Sequence, residues 1–534
     1  MARHEIQSLN FMSETVSSAK DAAAKNGSSS APQVNVFAIH GADPEVQAYA
    51  MAKYSRSALS MKESLKELNE QRAEQFLNTF YFQYGHRSIA DLAHVAFAIE
   101  KLSILAAIIL VDEQRWDGQE RSTRYQNFKK SGYYVPAFGG DAASAGRYSS
   151  TVDFLFSQYE ALTQEMLQYY VGQTPRPAEM KEDAYTRTLR ARAFDNSRYL
   201  LPLGTNTSLG QIVNARTLET QIARLLSSPF AEVQRLGELL KRAATETAFN
   251  PNLEWLTELV QEIKESNPEL GAKAEQQLLR QTRAAPTLVK YANANQYEIA
   301  TRNELAQLAA ELVHRLPIEE SRSVELYEPE NLEIEIAATL IYSACHHPFR
   351  QVCKIVQGLS SARRDEIIEM GFRHRGTHDE LARVFHAGQG LCFDILMDIG
   401  GFRDMHRHRR CTQIEQGLTT RHGYDVPEDL RKAGLETRYR EAIERSAAVH
   451  DELAIHYPWD ALYMIPLAFR KRTLFKMDFA EALYIAELRT GEGGHFSYRR
   501  VAYEMYEELK RKHPELAGYF RVSDVRKPLD LLRR

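Results

Sequence analysis

Six of the eight residues in Arg403-Asp404-Met405-His406-Arg407-His408-Arg409-Arg410 are cationic or can become so. Packed this closely they repel one another, so the run is either a solvated basic turn or the lining of a site for an anion. A zinc site fits poorly, because His406 and His408 stand two apart, share no helix face and are flanked by arginines. Arginine offers a planar, permanently charged, bidentate fork suited to phosphate. The run therefore points to a phosphate-bearing ligand and to no metal. Contact with RNA is compatible with the charge, but the stacking aromatics of a single-strand binder are missing here, so nucleic acid is not the expected partner.

A second cluster, Arg121-Ser122-Thr123-Arg124-Tyr125, sets hydroxyls between two arginines. Alone it reads equally well as a helix end or a loop. Its neighbours along the chain give it meaning: Gly85-His86-Arg87-Ser88 and the amphipathic stretch His94 to Glu100 before it, Arg198 to Pro202 and Asn214-Ala215-Arg216 after it.

The elements that must position these groups occur twice. Gln33 to Phe37 alternates like a strand and Val46 to Tyr54 follows with helical character; Val324 to Tyr327 alternates and Ile334 to Tyr342 follows. Gly132-Tyr133-Tyr134-Val135-Pro136 is echoed by Gly423-Tyr424-Asp425-Val426-Pro427, and Tyr199-Leu200-Leu201-Pro202-Leu203 by Tyr463-Met464-Ile465-Pro466-Leu467. The latter anchors precede long helical patterns, Leu209 to Thr247 and Asp478 to Lys512. Matches in register at this spacing imply an internal duplication. Residues 34–250 and 323–534 are the two repeats, 251–322 a helical connector, and 1–33 a small, polar, flexible leader. Helical patterns dominate and strands are few, so the fold class is α+β, helix-rich with a modest sheet in each repeat.

A chain of 534 residues is too long for one ordinary domain. Its 67 basic and 71 acidic residues nearly cancel, which argues against a general polyanion binder. The four cysteines form no CxxC pair, and the longest apolar run, Leu102 to Val111, is half of what a spanning helix needs. A cytoplasmic protein without a membrane segment is expected.

On these residues both repeats resemble flavin-dependent thymidylate synthase. That family's signature is Arg-His-Arg, seven residues, Ser, then Arg two further on and often Tyr; a Gly-His, an Arg-x-x-x-Pro, an Asn-Ala-Arg and a later Leu-Arg accompany it. Neither repeat keeps all of it. The first matches at Gly85-His86, Ser122, Arg124, Tyr125, Arg198 to Pro202, Asn214 and Arg216, but Asp112-Glu113-Gln114 stands where Arg-His-Arg belongs, and Leu225, beside Arg224, at the later arginine. The second matches at Arg407-His408-Arg409 and Leu488-Arg489, but Leu462 and Asp478 replace the arginine and the asparagine. Its signature serine falls on Gly417, or on Thr419 if two residues are inserted.

The resemblance implies reductive methylation of dUMP to dTMP, with FAD as cofactor and NADPH and methylenetetrahydrofolate as co-substrates. It assigns His86, Arg407, His408, Arg409, Asn214 and Arg216 to the flavin, and Ser122, Arg124, Tyr125, Arg198 and Arg489 to the nucleotide. Of these, Ser122, Arg198 and Arg489 carry the catalytic roles. Because the family shares its sites between subunits of a tetramer, a fused pair could pool what each repeat retained. A homodimer would then form a pseudo-tetramer with at most two such composite sites. The alternatives are a non-catalytic flavin- or nucleotide-binding pseudoenzyme, and a related flavin-dependent pyrimidine modification on another nucleotide or nucleic acid.

Overall fold

The computed structural model describes residues 41–53, 87–313, 315–377, 379–528 and 530–532. The leader, the strand expected at Gln33 to Phe37 and the candidate His86 lie outside the described residues. In the first half, strand β1 (His94–Ser103) is followed by helix α1 (Ile104–Leu110), β2 (Asp117–Glu120), α2 (Ala142–Gln173), α3 (Glu182–Ser197), β3 (Asn206–Asn214), α4 (Ala215–Leu226) and α5 (Ala231–Thr245). Then come α6 (Leu253–Ser266), α7 (Pro268–Leu278) and α8 (Gln296–Val313). The second half contains β4 (Val324–Tyr327), α9 (Leu332–Tyr342), α10 (Phe349–Gln357), α11 (Ser361–Phe372), β5 (Leu391–Asp398), α12 (Ile399–Met405) and β6 (Thr412–Glu415). It ends with α13 (Glu436–Ala454), β7 (Arg470–Met477), α14 (Phe479–Arg489) and α15 (Phe496–Lys512).

The two sheets, ordered β1-β3-β2 and β4-β5-β7-β6, are antiparallel and share one register. Ser103 faces Asn206 as Asp398 faces Arg470, and Asp117 faces Ile212 as Thr412 faces Lys476. The helix after each long strand opens on a side-chain cap: Ser103 and Asp398 accept from Ala106 and Gly401, Asn214 and Asp478 from Thr217 and Glu481. The match persists one residue past β2 and β6, where the amides of Arg121 and Gln416 donate to Ser208 and Arg472 carbonyls. The same step carries Asp112 to Arg407 and Ser122 to Gly417. Gly417, not Thr419, thus occupies the serine position of the second half, and the loop up to Tyr424 is shorter than its counterpart.

The helical pattern expected over Leu209 to Thr247 is strand first. Residues along β3 alternate between buried and open positions, and Asn214 then caps α4. The amphipathic stretch His94 to Glu100 is strand, with a period of two.

The halves meet through reciprocal backbone bonds at their matching prolines. Leu203 donates to Ile465 (2.9 Å) as Leu467 donates to Leu201 (3.0 Å), and Gly204 donates to Tyr463 (2.6 Å) as Ala468 donates to Tyr199 (3.1 Å). This is an isologous contact made within one chain. A Cβ on Gly204 would come within 2.3 Å of the Tyr148 hydroxyl, so only glycine allows this approach. One core draws Val95, Ile104 and Leu203 together with Phe393, Ile399 and Leu467. A second core places Leu305, Leu308 and Val313 of α8 against Leu340, Ile341 and Val352, so this part of the segment between the halves packs as a core element. Two ion pairs lie buried there, Arg472 with Asp394 (2.9 Å) and Lys476 with Glu335 (2.7 Å).

Candidate functional site

The turn after β2 and the helix α12 put the two cationic clusters side by side. Arg403, on the last turn of α12, donates to the Glu120 carboxylate and lies 3.5 Å from the Thr123 hydroxyl. Arg198, at the end of α3, reaches the same hydroxyl at 3.3 Å. Its guanidinium is 2% exposed, yet Nε and Nη2 meet no acceptor among the described residues; the Asp404 carboxylate is 3.8 Å away, beyond hydrogen-bond length. Buried donors of this kind are rarely left unpaired, and such orphans mark a place for an anionic or carbonyl-bearing ligand.

Arg124 crosses from one half to the other. It pairs with Asp195 (2.9 Å) and donates to the Tyr498 hydroxyl (2.9 Å) and the Gly493 carbonyl (3.2 Å) of the second half. Ser122 accepts from the Arg124 amide at 3.2 Å, which shapes the turn, and Tyr125 is exposed with the Arg124 guanidinium 5.8 Å from its ring. The Tyr498 ring also lies 5.4 Å from the guanidinium of Arg489. Arg489 in turn donates from Nε to His408 Nε2 (2.8 Å), so that nitrogen is unprotonated and the ring proton sits on Nδ1, 3.3 Å from Glu481. Burial, with Arg489 adding to it, lowers the His408 pKa and keeps the ring neutral. One continuous chain of contacts thus runs from His408 through Arg489, Tyr498 and Arg124 to Asp195.

Arg407 is exposed and makes no ion pair among the described residues. Arg409 stacks 5.2 Å over Trp116; burial lowers its pKa to about 10, Arg383 and Arg407 adding to this against the pull of Asp112 and Glu113, and it is still cationic at neutral pH. Both arginines line two adjoining cavities. One, of about 250 Å³, is shared with Trp116 to Glu120, Arg403 and His406. The other, of about 450 Å³, is shared with His408, Glu481, Tyr484 and Arg489. Phosphate groups fit such unneutralised guanidiniums.

The remaining candidates lie elsewhere. Asn214 caps α4, and Arg216 pairs with Asp91 (3.4 Å) and Glu380 (3.2 Å), neither touching the Arg124 network. The acids at the lost signature have local partners: Asp112 holds Arg383, and Glu113 holds Arg224 at 2.7 Å. Asp112, His406 and Glu415 offer ligand atoms within 4.8 Å of one another, but Arg383 and Lys471 already pair with the two carboxylates, which disfavours a cation. Sequence reasoning placed Thr123 in the hydroxyl cluster but missed Glu120, Asp195, Glu481 and Tyr498. Only Glu481, three residues past a capping Asp478, carried a local signal, and that was for a helix start.

Beneath Arg198, Asp398 is fully buried and accepts from Ser497 Oγ and the Gly401 amide. Burial and the nearby Asp425 push its pKa up to about 6, against Ser497, Gly401 and Arg198. Between about pH 4 and about pH 6 the folded chain therefore holds a proton that the unfolded chain, near 3.9, has released. Its contribution favours folding below about pH 4 and is lost as pH rises to 6, a swing of at most about 3 kcal/mol. Asp398→Asn should gain stability relative to the parent at pH 7, and the difference should shrink towards pH 4 in urea titrations; a pH-independent difference would sink this.

A family model described as thymidylate synthase complementing protein matches residues 38–248 and 327–515. A UPF0159 protein of Chlamydia pneumoniae is 30% identical over 522 residues, 92% of each chain, and one of Thermoplasma acidophilum is 25% identical over 519 residues, 89% of this chain and 94% of its own. A flavin-dependent thymidylate synthase of Clostridium tetani is 22% identical over 223 residues, 39% of this chain and 86% of its own, so nearly a whole relative corresponds to about one half here. The solved flavin-dependent thymidylate synthase of Helicobacter pylori, complexed with FAD and dUMP, aligns at 15% identity and a TM-score of 0.23 over 38% of this chain and 89% of that one. Among the described residues no helix is long and apolar enough to cross a membrane. With both halves matched by one family model, the chain belongs to the thymidylate synthase complementing protein family as two copies in tandem.

Proposed function

We propose that the chain is an FAD-dependent enzyme that methylates dUMP reductively to dTMP, with methylenetetrahydrofolate and NADPH, at one composite site per chain. The observation that carries this is Arg198: a buried guanidinium with two orphaned donors, beside Thr123 of its own half and Arg403 and Asp404 of the other. The residues suit a flavin with its diphosphate, because Arg407 and Arg409 make no ion pair among the described residues and His408 is held neutral in one tautomer. When bound, reduced flavin supplies the hydride. The chain's part is to bind and polarise: Arg407 and Arg409 hold the cofactor's phosphates, and Ser122 and Arg124 form the nucleotide's phosphate end. Arg198 and Arg489 face the pyrimidine carbonyls, where charge develops as C5 is attacked.

Tritium release from C5-tritiated dUMP, with FAD, NADPH and methylenetetrahydrofolate present, tests the activity. Flavin should titrate to one per chain. Two per chain would contradict a composite site, and no flavin uptake would remove the reading altogether. A second reading, a flavin-binding pseudoenzyme, draws on the internal pairing of Arg124 with Asp195 and of Arg403 with Glu120, which neutralises two of the arginines. A flavin-loaded chain that releases no tritium would establish it.

A further inference from the structure

A cavity of about 860 Å³ lies away from the Arg407–Arg409 face. It lies where the register shared by the halves puts that face's counterpart. Ile108 and Asp112 of the first half and Gln413 to Glu415 of β6 line it, as their equivalents Arg403, Arg407 and Gly118 to Glu120 line the 250 Å³ cavity. Residues 291–298, which lie between the two halves, form another wall.

The same place in the fold carries opposite charge. Six carboxylates line the large cavity against two arginines and one histidine, and three of the six, Asp112, Glu380 and Glu415, pair with Arg383, Arg216 and Lys471. Both arginines are occupied: Arg224 gives Nε and Nη2 to Glu113 (3.0 and 2.7 Å) and Nη1 to the Ile109 carbonyl (2.8 Å). Arg383 gives Nη1 to the Asp112 carboxylate and Nη2 to its carbonyl (2.9 Å). The histidine, His374, lies 2.7 Å from Glu304. Glu298 lies half-buried on the wall, and burial raises its pKa. A phosphate would find no spare cation here and several carboxylates to repel it. A ligand with N–H donors would find an acceptor in Glu298, and apolar surface on Ile108, Ile109 and Val384. The volume lies in the range of sites for small organic ligands.

We propose that this second composite cavity binds a small phosphate-free heterocycle bearing amino groups, neutral or cationic. Duplication would then have left the chain with two related pockets of opposite charge preference. The inference does not rest on the activity proposed above. The test is calorimetry on the full chain with adenosine, cytosine and 4-aminopyridine as probes and adenosine 5′-monophosphate as the charged control. It is run in an Arg407→Ala background so that the basic face does not capture the monophosphate. At least one amine-bearing probe should bind at one site per chain, with the monophosphate at least tenfold weaker than adenosine. Glu298→Gln should weaken that probe at least fivefold, and Ala223→Phe, which narrows the cavity without changing charge, should block it. Circular dichroism melts check that both variants are folded. Absence of saturable binding by all three probes, a monophosphate that binds as well as adenosine, or binding unchanged in both folded variants would overturn the proposal.

Discussion

Replacing Arg198 by methionine is expected to weaken dUMP binding at least 100-fold while leaving the folded chain as stable as before, or slightly more so. Among the described residues only Nη1 of Arg198 makes a hydrogen bond, to the Thr123 hydroxyl at 3.3 Å, and the side chain is 2% exposed. A bound nucleotide would take up the two idle donors, Nε and Nη2. Hydrogen bonds from a charged donor contribute roughly 1.5–3 kcal/mol each, so two of them amount to about 3–6 kcal/mol, or at least two decades in affinity. Methionine fills similar space without the charge, and removing an under-paired buried cation relieves the desolvation cost of holding it there. Calorimetry with dUMP and urea titration read the two quantities separately. A variant that lost several kcal/mol of stability and still bound dUMP normally would show Arg198 to be a structural residue.

The opposite sign is expected at Lys476. Its ammonium is 0% exposed and holds Glu335, 1% exposed, at 2.7 Å, with further bonds to Thr339 Oγ1 (2.8 Å) and the His386 carbonyl (3.1 Å). Lys476→Met leaves Glu335 buried without its counter-charge, which should cost about 3–5 kcal/mol. Adding Glu335→Leu removes the stranded carboxylate and should restore most of that loss. The pair ties α9 to β7, so the single variant should also loosen α9 to α11 in hydrogen exchange before the rest of the chain unfolds. A single variant within about 1 kcal/mol of the parent, by urea titration, would refute this.

Much of the architecture is written locally. The recurrence of Gly-Tyr-x-Val-Pro and of Pro-Leu anchors announces the duplication, and helical patterns announce α9, α14 and α15. Strand β3 was hidden because its apolar positions run without a break in composition into α4, and only the cap at Asn214 divides them. At the site, Arg124, Arg198, His408 and Arg489 stand out by residue type. Their companions do not: an aspartate before the Arg-x-x-x-Pro element, a glutamate on β2 and a tyrosine on α15 carry no local periodicity or motif.

What the sequence determines alone is therefore the inventory: two eroded copies, a basic segment in one, hydroxyls and arginines in the other. Only the tertiary structure decides how that inventory is spent. It pairs Arg124 with Tyr498 across the halves, sets Gly417 at the second serine position, and answers the acids at Asp112 and Glu113 with Arg383 and Arg224. The physical reason is range. Helical period and caps act within a few residues, whereas charge compensation and burial join groups from opposite ends of the chain, and no local pattern records which cation a buried carboxylate will meet.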